Sequence, residues 1–221
     1  MTIAFKTYSK EQCEQILASQ PEGQNTKFLK SAHNLWFRFK NYESNPAFVL
    51  EDQGNPCSLV FATISKRSRY MNLYEIVTLE GKEGHGYASK IWDEVMRFAF
   101  DSGVQRLKIS CTPSSVSWHK RNGLVFWAVD PSGSLRSDQP LFRTREEQIE
   151  FRSEALTSPE LAFPRDAKVV EQLVRESLES HGFGKKKTEK VSAAIQEVGD
   201  FWLRDSLVSH LSPNTIGEFF D

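Results

Sequence analysis

Three closely spaced glycines between a strand pattern and a helix pattern restrict the fold of this chain more than any other feature. The strand pattern covers residues 72–79, glycines follow at positions 81, 84 and 86, and apolar residues then recur at helical spacing from Tyr87 to Ser102. A strand that runs through such glycines into a helix leaves several backbone N–H groups in one concavity, at the positive end of the helix dipole. Glycine is needed because a Cβ would keep the backbone away from a phosphate. The sequence therefore predicts a phosphate-binding loop.

Two other interpretations of this segment are open. One is a plain strand–helix turn without a ligand. The other is a dinucleotide-binding fold, which would carry an acidic residue at a strand end about 20 positions later. That region reads Asp101-Ser102-Gly103-Val104, where Gly103 ends the helix. The preceding chain also has antiparallel hairpin signals, so a dinucleotide fold is not favoured.

The rest of the chain predicts an α+β fold with one mixed sheet, and not a doubly wound one. Ser9 and Gln12 form a capping-box pattern that opens a helix to about Ser19. A second helix is expected from Lys27 to Asn41, and a short one from Ser114 to Asn122. The expected strands are residues 2–8, 47–51, 57–64, 72–79, 106–111, 124–129 and 135–142.

After position 143 the pattern becomes helical. Thr144 opens a capping box, and Asp166 and Thr188 are candidate caps of two further helices. We expect a core domain over residues 1–143 and a C-terminal helical extension over residues 144–221. The extension is expected to cover the acceptor side, form a homodimer interface or pack as an independent element.

Charge and cysteine content restrict the possible partners and the compartment. The net charge is −1, with 28 basic and 29 acidic residues, so no overall field draws the protein to nucleic acid or to an anionic membrane. Three widely spaced cysteines suit reduced thiols better than a disulfide framework, and no zinc-type cluster appears. The expectation is a cytoplasmic protein without a membrane partner and without a metal.

The loop and its surroundings resemble the GNAT superfamily of acyl-CoA N-acyltransferases. Members carry Gln/Arg-x-x-Gly-x-Gly/Ala between the fourth strand and a long helix, and often Gly-Phe before the sixth strand. Gly81-Lys82-Glu83-Gly84-His85-Gly86 is similar to the first motif, and Asn122-Gly123-Leu124-Val125-Phe126 is similar to the second. The similarity covers about residues 47–142, with its best match from Asn72 to Phe126. It implies an acetyltransferase with acetyl-CoA as co-substrate.

By this resemblance, one continuous stretch of the chain holds the cofactor. Two strand residues would offer main-chain groups along the pantetheine, and the loop with the first helical residue would hold the pyrophosphate. The implied cofactor-binding residues are Ile76, Val77, Gly81, Lys82, Glu83, Gly84, His85, Gly86 and Tyr87. The first motif position is Gly81 instead of Gln or Arg. Either Lys82 supplies the positive charge from the next position, or the loop binds more weakly.

The resemblance also implies an acid and a base. The family acid is commonly a Tyr four positions before the glycine of the Gly-Phe pair, and here that position holds His119. An imidazole titrates near working pH and can donate to a thiolate. A helix-surface histidine is the alternative, with Ser114 and Ser117 as other donors. Glu75 is the candidate base, with an exposed charge on the sheet as its alternative, and Glu80 is either a second candidate or a solvated loop charge.

The acceptor is expected to be a small-molecule or peptide amine. The basic cluster Lys66-Arg67-Ser68-Arg69-Tyr70 lies between two strands, and it indicates either an anionic acceptor or a solvated hairpin tip. Two alternative functions follow: a GNAT-fold protein of phage type that modifies nucleic-acid bases, and a CoA-binding module without turnover. An isoelectric point near 6.5 disfavours nucleic acid.

Overall fold

The computed structural model describes residues 3–38, 47–126, 128–129 and 134–157, and beyond these only residues 175, 179, 184–186, 188–190 and 193. The strands within these ranges are β1 (Ile3–Tyr8), β2 (Ala47–Asp52), β3 (Asn55–Ser65), β4 (Tyr70–Thr78), β5 (Arg106–Cys111), β6 (Ala128–Val129) and β7 (Leu135–Pro140). Up to residue 157, the described helices are α1 (Lys10–Ser19), α2 (Gln24–Arg38), α3 (Tyr87–Asp101), α4 (Val116–Arg121) and α5 (Arg145–Thr157), and a 3-10 turn lies at Pro113–Ser115. None of the described helices is both long and apolar enough to span a membrane.

The chain forms two compact units. The first comprises Met1–Leu107 and Pro140–Thr144, and the second comprises Lys108–Gln139 and Arg145–Asp221. The first unit therefore contains β1 to β4 and α1 to α3, whereas the second contains α4, α5, β6 and most of β5 and β7.

The first unit is a four-stranded antiparallel meander with helices on both faces. β1 pairs with β2, β2 with β3, and β3 with β4. On one face, α1 and α2 bury Cys13, Leu29 and Trp36 against Leu59 and Phe61 of β3. On the other face, the α3 residue Phe98 packs against Phe5 and Phe48 with ring centroids 6.4 and 5.1 Å away. Burial of these apolar faces is the main stabilising contribution in the unit.

A register shift interrupts the pairing of β3 with β4. Phe61 pairs with Glu75, whereas Ala62 pairs with Leu73, so Tyr74 is an extra residue of β4. Such a bulge bends the strand and changes the direction of the neighbouring side chains. The bend lies immediately before the part of β4 that leads to the glycine loop.

In the second unit, buried polar side chains hold the segment after α4 in place. The Gln139 Oε1 accepts from the Val125 N–H at 2.6 Å, and its Nε2 donates to the Gly123 carbonyl at 3.3 Å. The Arg152 guanidinium of α5 donates to the Leu124 carbonyl. Val125, Phe151 and Ala155 pack together. Because a buried backbone group without a partner destabilises a fold, these side chains fix residues 123–125 without a strand.

The α+β class is confirmed, and most elements begin and end within a few residues of their predicted bounds. The strand expected over residues 124–129 is wrong for residues 124–126, where side chains bond the Leu124 carbonyl and the Val125 N–H. Ala128–Val129 does form a strand, paired with β7. Phe28 of the predicted α2 core stripe is 47% exposed. Among the expected C-terminal helices, α5 is present, and those at Asp166 and Thr188 lie mostly outside the described residues. The domain boundary at 143 stays a prediction.

Candidate functional site

The glycine loop joins β4, which ends at Thr78, to α3, which begins at Tyr87. Gly81, Gly84 and Gly86 have φ of 75°, 78° and 74°. A Cβ built on any of the three would meet no heavy atom within 4 Å. Glycine is therefore required by the left-handed backbone and not by crowding. The open side of each glycine leaves room for a bound group.

The start of α3 has no side chain that caps it. Gly86 is the N-cap residue, no side-chain hydrogen bond caps the helix, and its first turn contains no acidic residue. The first backbone N–H groups of a helix lack intrahelical acceptors, and the helix dipole is positive at this end. The loop thus has the donors, the charge and the space that a pyrophosphate needs, and the residues present fit the phosphates of CoA.

Tyr87 anchors the start of α3 to the end of β2. Its hydroxyl donates to the Asp52 Oδ2 at 2.7 Å, and this hydrogen bond is the main reason that the pKa of Tyr87 is raised to about 12. The His85 ring stacks on the Tyr87 ring at a centroid distance of 5.7 Å, and the Lys90 ammonium lies 5.6 Å from the same ring. The last loop residues are therefore held between α3 and the sheet.

The other end of the loop caps a different helix. Gly23 accepts the first helical hydrogen bond of α2, from the Lys27 N–H, but as a glycine it has no side chain to cap the helix. Glu80 replaces that cap, because its Oε2 accepts from the Asn25 N–H at 3.2 Å. The Asn25 Nδ2 also donates to the Glu83 Oε1 at 2.6 Å. The α1–α2 turn and the glycine loop are thus joined through Asn25, and the solvated-charge alternative for Glu80 is wrong.

Gly23→Ala is expected to destabilise the protein by about 1 kcal/mol, the usual contribution of a helix cap. The new Cβ would lie 2.1 Å from the Glu80 Oε2, so the carboxylate would have to leave the Asn25 N–H. Urea denaturation measures the change. In a Glu80→Ala background the same substitution should cost almost nothing, since the cap is already lost. Equal costs in both backgrounds would contradict the capping role.

Glu75 lies in β4 on the sheet face covered by α2. It pairs directly with Phe61, whose ring contacts Trp36 and His33 at centroid distances of 5.5 and 6.2 Å. Directly paired residues share a face, so the carboxyl lies in apolar surroundings. Burial raises the pKa of Glu75 to about 7, while a hydrogen bond from the Ile76 backbone opposes the shift. The exposed-charge alternative is wrong, and the carboxyl is suited to accept and release protons near neutral pH.

Ile76 and Val77 follow directly after the bulge in β4. They pair with Val60 and Leu59 of β3, and the Val77 carbonyl also accepts from the Ser58 hydroxyl at 3.0 Å. The Val77 side chain belongs to the hydrophobic core under α1 and α2. The core thus takes up the Val77 side chain and leaves its backbone, and the cofactor-binding role of Ile76 and Val77 stays a prediction.

His119 lies in the second unit, in the last turn of α4. It is only 8% exposed, so the helix-surface alternative is wrong. Burial lowers the pKa of His119 to about 4, which makes the imidazole neutral at physiological pH. The His119 carbonyl accepts from the Leu124 N–H at 3.2 Å. Gly123, four residues after His119, has a φ of 82°. A Cβ on Gly123 would lie 2.5 Å from the backbone of Gln148, so α5 packs directly on this turn.

The remaining candidates fall elsewhere in each unit. Ser114 lies in the 3-10 turn, where its hydroxyl is 3.0 Å from the Thr112 Oγ1. Lys66, Arg67, Ser68 and Arg69 form the exposed turn between β3 and β4. This turn lies at the opposite end of β4 from the glycine loop.

The first unit thus brings Glu75, Ile76, Val77 and the glycine loop together along β4 and its continuation. Sequence reasoning did not find Asn25 and Asp52, the partners that hold the loop. Gly23 was the available signal, since a helix whose N-cap position is glycine needs a cap from elsewhere. The hydroxyl of Tyr87 gave no comparable signal.

Known proteins were compared with this chain by sequence and by structure. The model of the acetyltransferase (GNAT) family matches residues 10–124, more than half of the chain. Among curated proteins, no sequence matches. One similar solved structure is the PaiA N-acetyltransferase from Thermoplasma acidophilum in complex with coenzyme A, at 9% identity over 63% of this chain and 99% of that chain, with a TM-score of 0.49.

Two further solved structures are similar to a comparable degree. A mutant form of the Vibrio cholerae spermidine N-acetyltransferase SpeG matches at 13% identity over 67% of this chain and 97% of that chain, with a TM-score of 0.49. The ribosomal-protein-S18-alanine N-acetyltransferase from Escherichia coli matches at 9% identity over 63% of this chain and 94% of that chain, with a TM-score of 0.49. With its mixed sheet, its glycine loop before a long helix and the family match, the chain belongs to the GNAT family of N-acetyltransferases.

Proposed function

We propose that the protein transfers an acetyl group from acetyl-CoA to a primary amine. The observation that carries the proposal is the arrangement along β4. Glu75 of β4 carries a carboxyl group with a pKa of about 7. A few residues later, the strand leads into the open glycine loop at the uncapped start of α3. One strand therefore positions both a phosphate-binding loop and a candidate base.

The residues that would hold acetyl-CoA are the backbone groups of Ile76 and Val77 and the loop from Gly81 to Tyr87. Lys82 is half-buried within this loop and supplies positive charge where the family more often has Gln or Arg at the preceding position. When bound, acetyl-CoA supplies an activated acyl thioester.

Glu75 is proposed as the general base. An alkylamine has a pKa near 10.4 and is a cation at neutral pH, so it must lose a proton before it can attack. A carboxylate with a pKa of about 7 is ionised for half of the molecules at pH 7, and it is a stronger base than an ordinary glutamate. The same negative charge favours an approaching ammonium group over a neutral ligand.

His119 is proposed to serve the leaving group. Its pKa of about 4 means that the neutral imidazole, and not the imidazolium, is present at pH 7. A neutral imidazole stabilises negative charge on sulfur by donating its N–H in a hydrogen bond, which is weaker assistance than full proton transfer. This role rests on the position of His119 four residues before Gly123.

The acceptor is proposed to be a small-molecule or peptide amine in the cytoplasm. The three cysteines Cys13, Cys57 and Cys111 are all buried free thiols, which suits a reducing compartment. We further propose that the C-terminal helices form a homodimer interface.

A CoA-binding module without turnover is the second candidate. Two departures from the family pattern favour it, Gly81 at the first motif position and His119 at the usual position of the tyrosine. The low pKa of His119 removes the imidazolium that would replace that tyrosine most effectively.

Thermal unfolding with acetyl-CoA and a thiol-release assay distinguish the candidates. Acetyl-CoA at 100 times its Kd is expected to stabilise the fold by about 2.7 kcal/mol and so to raise the melting temperature. Steady release of CoA with one member of a panel of polyamines, lysine derivatives and peptide N-termini would support the enzyme. Stabilisation without release for any amine would support the binding module. Absence of stabilisation by any acyl-CoA would overturn both candidates.

A further inference from the structure

A groove of about 460 Å³ lies in the first unit between the β3–β4 turn and the segment after α3. One wall is formed by Ile64, Ser65, Lys66 and Arg69, and the other by residues 102–105. The lining residues include two cations and no carboxylate. Neither Lys66 nor Arg69 forms an ion pair with the part of the chain that the structure describes.

Arg69 has a backbone conformation that does not favour arginine. Its φ is 51°, in the left-handed region, where glycine or asparagine is accommodated at lower cost. The conformation is held from the neighbouring segment, since the Arg69 carbonyl accepts from the N–H groups of Gln105 at 2.8 Å and of Arg106 at 3.2 Å. These two hydrogen bonds fix the backbone of Arg69 at the wall of the groove that it lines.

The surroundings of the groove are strongly positive for a protein of net charge −1. Lys66, Arg67 and Arg69 are exposed within one turn. The carboxylate that directly precedes the second wall in sequence is Asp101, at the end of α3, and its charge is balanced by Arg143, whose Nε lies 3.0 Å from the Asp101 Oδ1. The groove therefore offers uncompensated positive charge along a concave surface.

The groove is separate from the proposed acetyl-CoA loop. The two sites lie at opposite ends of α3, a helix of 15 residues, which places them about 22 Å apart along its axis. An anion in the groove would not compete with phosphates in the glycine loop. Its binding can therefore be tested whether or not the proposed function holds.

We propose that the groove binds an acidic peptide segment through Lys66 and Arg69. Guanidinium and ammonium groups bind carboxylates by charge-assisted hydrogen bonds, and Ser65, Ser102 and Gln105 offer further polar groups along the groove. A single-stranded nucleic acid is less well matched, because it is usually held by aromatic rings on which its bases stack, and the described lining contains none.

Fluorescence anisotropy with a labelled Glu/Asp-rich peptide tests the proposal. The peptide is expected to bind at low salt and to weaken as ionic strength rises. Arg69→Asn and Lys66→Ser should each raise the Kd at least about tenfold, since each removes a charge-assisted contact. Lys30→Ser, which removes an exposed charge from α2, is the matched control and should leave the Kd unchanged.

Arg69→Asn separates this role from a structural one. Asparagine tolerates a positive φ, so the melting temperature should stay equal or rise while peptide affinity falls. The proposal is overturned if the wild-type protein does not bind the peptide, if the two groove variants bind as well as the wild type, or if Arg69→Asn melts at a lower temperature. It is also overturned if a single-stranded oligonucleotide binds more tightly than the peptide.

Discussion

Glu75→Gln is expected to lower kcat by about 10²- to 10⁴-fold, the range found for removal of a general base. Glutamine fills the same space next to Phe61, but it cannot take a proton from the attacking ammonium group. The thiol-release assay with the best amine of the panel measures the loss. Glu94→Gln, a neutralised carboxylate on the exposed side of α3, is the matched control and should retain wild-type activity.

The pH profile gives a second readout of the same residue. The ionised carboxylate is the active form, so kcat/KM for the wild type should rise about tenfold per pH unit below pH 7 and level off above it. The rise should be absent in Glu75→Gln. If Glu75→Gln keeps both its activity and the rise of kcat/KM below pH 7, Glu75 is not the base.

The stability of the fold should fall with rising pH, in the range where the activity rises. The pKa of Glu75 is raised from its ordinary 4.5 to about 7, so the folded protein holds this proton more tightly than the unfolded chain. That contribution to stability is complete below pH 4.5 and is lost as the pH rises through 7. Above pH 7 the buried charge destabilises the fold, and Glu75→Gln should be more stable than the wild type by at most about 3 kcal/mol. A gain in stability with a loss of activity is the expected pattern for a functional group at a strained site.

Gly84→Asp is expected to abolish the rise in melting temperature that acetyl-CoA produces. Aspartate at a φ of 78° brings a Cβ and a negative charge to the open side of the loop, where the phosphates would lie. At a ligand concentration of 100 times the wild-type Kd, the stabilisation of about 2.7 kcal/mol should fall to nearly zero. Differential scanning fluorimetry with and without acetyl-CoA measures it.

Gly54→Asp is the matched control for this experiment. Gly54 lies in the β2–β3 turn with a φ of 79° and, like Gly84, has no heavy atom within 4 Å of a built Cβ. The two substitutions therefore share the same backbone strain, and their unliganded melting temperatures should fall by similar amounts. Only Gly84→Asp should lose the response to acetyl-CoA. Loss of the response in both variants would show that strain, and not the phosphate site, accounts for it.

The part of the site that follows from local pattern was predictable from the sequence. Spaced glycines between a strand and a helix determine their own backbone, so the loop and the start of α3 at Tyr87 were found without tertiary information. The extra residue Tyr74 in β4 was not predictable, because a bulge is defined by the pairing of β4 with another strand, β3. The raised pKa of Glu75 was also not predictable, because it depends on the aromatic residues that α2 and β3 place around the carboxyl group.

The same distinction explains the errors. Residues 124–126 have the composition of a strand, but Arg152 bonds the Leu124 carbonyl and Gln139 bonds the Val125 N–H, and the sequence gives no sign of that competition. His119 is followed by two basic residues typical of a surface helix, Lys120 and Arg121, yet the packing of its unit buries it. Contacts between segments distant in sequence decided both cases.

The capping of α2 by Glu80 has a consequence for how the two substrates communicate. A ligand that fixes the glycine loop also fixes the carboxylate on which the first turn of α2 depends, and α2 covers the face where Glu75 lies. Linkage makes such an effect reciprocal: whatever orders α2 must also favour the bound form of the loop. Under the proposed function, donor and acceptor would then bind with positive cooperativity, transmitted through one asparagine.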